Sequence, residues 1–143
     1  MIALGCDHGG YELMQEVKAH LTKRGFEYKD FGCFGTEAVD YPEFGRAAAE
    51  AVASGECEYG IVICGTGIGM SIAANKHQGI RAGLCWTPEI GKLIKQHNNA
   101  NVLVMPARFI SYETVVEITD AWLTEEFEGG RHQTRIDKMP CCR

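Results

Sequence analysis

The sequence is short of several things. It has no C-x-x-C pair, and its cysteine count is odd, at seven. That argues against a zinc ribbon and against a disulfide framework, and points to reduced thiols in the cytoplasm. It also lacks a basic surplus. The formal net charge of −5 disfavours a nucleic-acid partner, although local basic clusters can still hold a small anion. No apolar run approaches the roughly 20 residues that cross a bilayer, so no membrane partner is expected. The opening Met1-Ile2-Ala3-Leu4-Gly5-Cys6-Asp7 carries no basic leader and reaches an acid too early for a signal peptide. Internal repeats, linkers and low-complexity stretches are missing too. What remains is 143 residues of ordinary globular composition, 45% hydrophobic and 23% charged. That is enough for one domain over residues 1–143 with a core of its own.

Short apolar runs alternate with helical patterns. Strands are predicted at 2–4, 26–31, 59–64, 80–85 and 102–105. The first helix carries Leu13, Met14, Val17 and Leu21 on one face and ends near Gly25. A loop is expected from Gly32 to Pro42, followed by a helix presenting Phe44, Ala47, Ala48, Ala51 and Val52. A third helix is expected from about Met70 to Lys76. Thr87 caps the fourth helix with Pro88 at its first position, and Ile90, Leu93, Ile94 and His97 share a face. Ser111 caps the fifth, with Val115, Val116, Thr119, Trp122 and Leu123 inward. Apolar strands joined by helices imply an α/β fold, a three-layer Rossmann-like sandwich around a five-stranded parallel sheet. Residues 128–143 show no apolar period and read as a tail lying over another element or subunit.

Chemistry-bearing residues gather in a few segments. Open parallel sheets bind ligands at the carboxyl ends of strands, and Gly5–Gly10, Cys64–Gly69, His97–Asn99 and Pro106–Arg108 are all read as lying at that rim. In Cys64-Gly65-Thr66-Gly67-Ile68-Gly69-Met70, alternate glycines let the backbone approach a ligand. The loop opens a helix, so free amides and the positive dipole end face outward. A cysteine there is favoured as thiolate. Beside an anion hole, such a base suits proton abstraction next to a carbonyl. A dinucleotide fingerprint fails at Met70, which replaces the third glycine. A P-loop fails for want of Gly-Lys-Ser/Thr, and a cysteine phosphatase for want of an arginine closing the loop. Duller readings stay open. Cys64 is also explained as a buried strand end, Asp7 as a helix cap, His97 as a structural histidine, and Arg131 and Arg135 as a solvated tail. Yet arginines at i and i+4 can aim two forks at one phosphate. His20, His77 and His132 read as surface or structural, and Cys141 and Cys142 as tail residues without a role.

Taken together, Gly5–Gly10, Asp40-Tyr41-Pro42, Cys64–Ser71, Ala73–Lys76, Gly79–Ala82, His97-Asn98-Asn99 and Gly129-Gly130-Arg131-His132 resemble the type B ribose-5-phosphate isomerases and their allose- and galactose-6-phosphate isomerase relatives. The resemblance covers nearly the whole chain. It implies a homodimer or a pair of dimers, with sites at the subunit interface, the tail packed on the partner, and no metal or organic cofactor. It implies that Cys64 moves a proton between C1 and C2 of a phosphorylated sugar. The amides of Gly65, Gly67, Ile68 and Gly69, with Thr66, then hold the enediolate. His97 helps open the sugar ring, Asp7 and Asn98 orient hydroxyls, and Tyr41 lines the site. His8, Arg131 and Arg135 bind phosphate, and Arg108 reaches the partner's site. Two segments depart from the family pattern. Trp86–Gly91 replaces a polar segment after strand four, which leaves a 6-carbon aldose phosphate as the alternative substrate. Pro106 stands where glycine or serine is expected. A non-catalytic sugar-phosphate sensor using the same anion sites is the rival of another class.

Overall fold

The computed structural model describes residues 1–140; Cys141 and Cys142 lie outside the described residues. The described chain runs β1 (Ile2–Cys6), α1 (Tyr11–Lys23), β2 (Tyr28–Asp30), α2 (Tyr41–Ala53), β3 (Tyr59–Cys64), α3 (Ile68–Asn75), β4 (Ala82–Leu84), α4 (Pro88–Gln96), β5 (Val102–Pro106), α5 (Tyr112–Thr124) and α6 (Arg131–Ile136). The five strands form one parallel sheet in the order β2-β1-β3-β5-β4. Strand order therefore reverses between β1 and β3, and the crevice that such a reversal opens lies beyond Cys6 and Cys64.

Both faces of the sheet are covered, as the apolar strands require. One face, with Leu4, Ile61, Ile63, Leu103 and Met105, packs on α1 through Met14 and Val17 and on α5 through Val115, Ile118 and Trp122. The other, with Ala3, Val62, Val102 and Val104, packs on α2 alanines and on Met70 and Ala74 of α3. Trp122 is fully buried and its Nε1 donates to Ala100 O at 3.2 Å; truncating such a side chain costs about 3–5 kcal/mol. Small residues set the α2 distance. A methyl on Gly5 would stand 2.6 Å from Phe44 O.

The caps at Thr87 and Ser111 occur as expected, each hydroxyl accepting an amide three residues on. Other boundaries differ. α2 begins at Tyr41, because Pro42 suits the first helical turn and starts the helix instead of closing the loop. α3 starts at Ile68, two residues early. β2 and β4 keep three residues each, and both are edge strands. On α4 the buried residues are Gly91, Ile94 and Lys95, and Ile90 is exposed. The ammonium of Lys95 lies 4.1 Å from the ring centroid of Tyr59 and 4.7 Å from that of Trp122, so its stem and charge cover aromatic surface. Burial pushes its pKa down and Glu58 pushes it back up. The tail is not patternless: residues 131–136 form a helix that buries His132.

Candidate active site

Two loops meet beyond the carboxyl ends of β1 and β3. Asp7 follows β1, is nearly buried, and its Oδ1 accepts the Gly10 amide at 3.0 Å. Asp7 thus does the local job of a turn residue while facing the crevice. A methyl on Gly9 would sit 3.6 Å from the Gly65 amide nitrogen, so the two loops are in contact. His8 is anchored by Val39, whose amide donates to Nδ1 at 3.1 Å. With Nδ1 accepting, the neutral ring carries its proton on Nε2.

Cys64 ends β3 and is buried. Gly67 caps α3 in the left-handed region, φ 74°, a conformation that favours glycine. The first helical bond runs from the Ser71 amide to Gly67 O at 3.0 Å, so the amides of Gly69 and Met70 have no acceptor in their own helix. Thr66 Oγ1 takes the Ile68 amide at 3.2 Å, which removes that donor from the set expected to face a ligand. The Tyr41 ring lies against Gly69, where a methyl would collide with it. Arg108 is held to the same loop. Its amide donates to Gly65 O at 2.9 Å, Ala107 donates to Cys64 O at 2.9 Å, and the guanidinium covers Gly65. The expectation was that Arg108 reaches a partner; in this chain it packs on its own loop.

His97 and Asn98 are not on this rim, contrary to expectation. α4 runs antiparallel to the strands, so the residues that follow it return to the amino edge of the sheet. From Gly60, which pairs with Val102, to Cys64, which pairs with Pro106, the strand rises about 13 Å at ~3.3 Å per residue. The two groups of residues lie beyond opposite ends of that span. Arg81, just before β4, clamps the amino-edge loop: its Nε donates to Asn98 O at 2.9 Å, and its Nη2 to Asn99 O at 3.0 Å. α6 docks here as well. Glu128 donates its amide to Gln96 O at 3.0 Å, and the His132 ring stacks on His97 with centroids 4.3 Å apart and planes 13° from parallel. Arg131 and Arg135 project from this short helix into solvent.

The match to known proteins is extensive. The model of the Ribose/Galactose Isomerase family covers residues 2–139. The chain belongs to this family. It is 50% identical over 138 residues to ribose-5-phosphate isomerase B of Escherichia coli, covering 96% of this chain and 93% of that one. The structure of Clostridium thermocellum ribose-5-phosphate isomerase B superposes with a TM-score of 0.95 at 52% identity, over 96% of this chain and 93% of that one. The Mycoplasma genitalium enzyme, solved with ribulose-5-phosphate bound, gives 0.93 at 39% identity, over 96% and 92%.

Against this family background, two features were not legible from motifs. His132, read as surface or structural, is structural: it is buried and stacks on His97, a contact that no motif signalled. Glu128 went unread. Its Oε1 lies 3.3 Å from His132 Nε2 and 4.0 Å from His97 Nε2. These three residues form a group with metal-compatible ligand atoms, but the stacked rings do not share a plane in which one ion would meet both nitrogens. A cavity of about 730 Å³ also opens at the amino edge, lined by Asn75, Arg81, Asn98 and Ile136 among others; it is remote from Cys64. Among the described residues, no helix is long and apolar enough to cross a membrane.

Proposed function

We propose that this chain, as one isomerase domain spanning residues 1–143, interconverts ribose 5-phosphate and ribulose 5-phosphate. The observation that carries this reading is Cys64 at a strand end, beside Asp7, under a helix start with unengaged amides. His97 opens the furanose ring. Cys64 removes the C2 proton from the open aldose and returns it to C1. The amides of Gly65, Gly67 and Gly69, with Thr66, stabilise the enediolate oxygen as charge builds on it. Asp7 and Asn98 orient hydroxyls, and Tyr41 lines the site. His8, Arg131 and Arg135 hold the phosphate, and Arg108 supplies a further cation beside the loop. The route needs no metal.

The reading requires two chains. Cys64 and Asp7 stand at one edge of the sheet, and His97 and Arg131 at the other, so one chain cannot bring them to the same sugar. A homodimer, alone or paired into a dimer of dimers, joins the carboxyl edge of one chain to the amino edge of its partner in two equivalent sites. Exposed apolar residues near the carboxyl edge, including a Trp86–Phe109 ring stack at 4.9 Å and Ile68, support such a contact. A two-fold pairing also gives the 128–143 tail a partner surface. Five described cysteines are free thiols, in keeping with a cytoplasmic enzyme.

Trp86 keeps a 6-carbon aldose phosphate as the second substrate, because it puts a large ring near the rim. Assays of the purified chain on ribose 5-phosphate and on allose and galactose 6-phosphates rank the three. Solvent deuterium appearing at the exchanging carbon is the expected result. A sugar-phosphate sensor binds the ligand and exchanges nothing, and that outcome would overturn the enzymatic reading.

A further inference from the structure

Glu128 has no role in the scheme above, yet it is tied to the His97–His132 cluster of the amino edge. Its amide is fixed to Gln96 O at 3.0 Å, next to His97 in sequence. Glu125, three residues before it, accepts from the Gln96 side chain at 2.9 Å. The Oε1 of Glu128 stands near the Nε2 atoms of two stacked imidazoles, at 3.3 and 4.0 Å. His132 Nε2 is buried and makes no hydrogen bond among the described residues; the Glu128 carboxylate, 3.3 Å away, is the charged group beside it. The carboxylate thus faces the Nε2 side of both rings. It leaves His97 Nδ1 as the ring atom turned away from the carboxylate.

We propose that Glu128 is a positioning residue for ring opening, acting through His132, whose ring stacks on His97, to hold the His97 imidazole in place. The inference rests on the isomerase reading and on the ring-opening role of His97. The chemistry makes it separable from the proton transfer at carbon. Opening the furanose breaks the C1–O4 bond, delivers a proton to O4, and removes the O1 proton as the C1 carbonyl forms. Ribulose 5-phosphate has its O5 esterified and its carbonyl at C2. No free hydroxyl can close a five-membered ring on it, so it enters as an open chain. Its C1 proton can then exchange through Cys64 without any ring-opening step.

The test compares two reactions of the full-length protein: conversion of ribose 5-phosphate, and deuterium wash-in at C1 of ribulose 5-phosphate followed by NMR. Glu128→Ala is expected to lower kcat on ribose 5-phosphate by about tenfold or more with KM within about threefold, while C1 exchange stays within about twofold of the parent. Glu128→Gln, which keeps an acceptor oxygen, recovers most of the rate. His132→Phe, which keeps the stack and removes Nε2, shows the same split as Glu128→Ala and serves if that variant fails to fold. Equal losses in both reactions, a change in KM alone, or no loss in any of these variants overturns the proposal. If the parent protein itself exchanges no C1 proton, the isomerase reading falls instead.

Discussion

The two edges of the sheet are built differently. The carboxyl edge is shaped by backbone. At Gly10 a methyl would stand 2.6 Å from Ile63 O, at Gly67 2.5 Å from Leu84 Cδ1, and at Gly69 it would strike Tyr41. The donors there are amides held by the start of α3, which need no rotamer to be right. The amino edge is shaped by side chains: the Arg81 guanidinium on two carbonyls, the His97–His132 stack, and Glu128 beside both rings. A site made of backbone is stiff and tolerates few substitutions. A site made of side chains is adjustable but needs neighbours to hold each group. In the proposed mechanism, bond-making at carbon falls to the stiff edge and ring opening to the adjustable one, while the phosphate is shared between His8 on the first and Arg131 and Arg135 on the second.

The largest effect is expected at Cys64. Cys64→Ala should lower turnover by about three orders of magnitude, the scale of a lost general base, while calorimetry finds sugar-phosphate affinity nearly unchanged. Full activity in that variant would sink the cysteine mechanism. The comparison of edges is sharpened by mixing. Cys64→Ala and Arg131→Ala chains are denatured and refolded together and assayed at substrate well below KM, where the first alone is nearly inactive and the second keeps about a tenth of parent activity or less. Random pairing puts both intact edges in one site of each mixed dimer, restoring about a quarter of parent activity. No recovery would mean the edges do not meet across chains. Arg131→Ala alone should raise KM by about tenfold with a smaller change in kcat, because phosphate contacts are made in ground and transition states alike. An unchanged KM argues against the phosphate role.

Smaller effects concern stability. Gly69→Ala should cost about 1–3 kcal/mol as Tyr41 is displaced, and adding Tyr41→Ala should recover part of it in a denaturant melt. Equal melts for Gly69→Ala and the parent would show that the ring moves freely. Burial pushes the thiol of Cys85 up to about 12; burial and the neighbouring Cys33 do the same for Cys6. Thiols raised in this way stay protonated in the fold and ionise first in the unfolded chain. Their contribution is whole below pH 9, the ordinary value, and is lost as pH rises from there through about 12. Tm should therefore fall steadily above pH 9, with a shallower slope in Cys85→Ala.

The layers, the helix caps and the Cys64–Gly69 loop were legible because each depends on local chemistry: an apolar run, a hydroxyl before a proline, glycines at alternate positions. The edge on which His97 lies was not read correctly. Proximity in sequence to β5 says nothing of rim until the direction of α4 is considered, and that direction places His97 before the strand begins. The face of α4 differs from the apolar pattern at Ile90, because Lys95, a charged residue that such a pattern does not count, takes a buried place. Its stem and charge lie over Tyr59 and Trp122. α6 escaped notice because it buries one polar residue, His132, and no apolar stripe. Apolar periodicity cannot find a helix held by a ring stack and a carboxylate.

The brevity of β2 and β4 has a consequence for how copies of this chain meet. Each outer strand offers three residues of unpaired backbone, too few to template another sheet. Continuation of the sheet from one molecule into the next is thereby discouraged, and with it the fibrillar stacking that long bare strands invite. Association is left to loops and helices at the sheet ends, where shape and charge are particular to this protein. An outer strand of three residues thus acts as a safeguard on solubility and as a filter on the geometry of assembly.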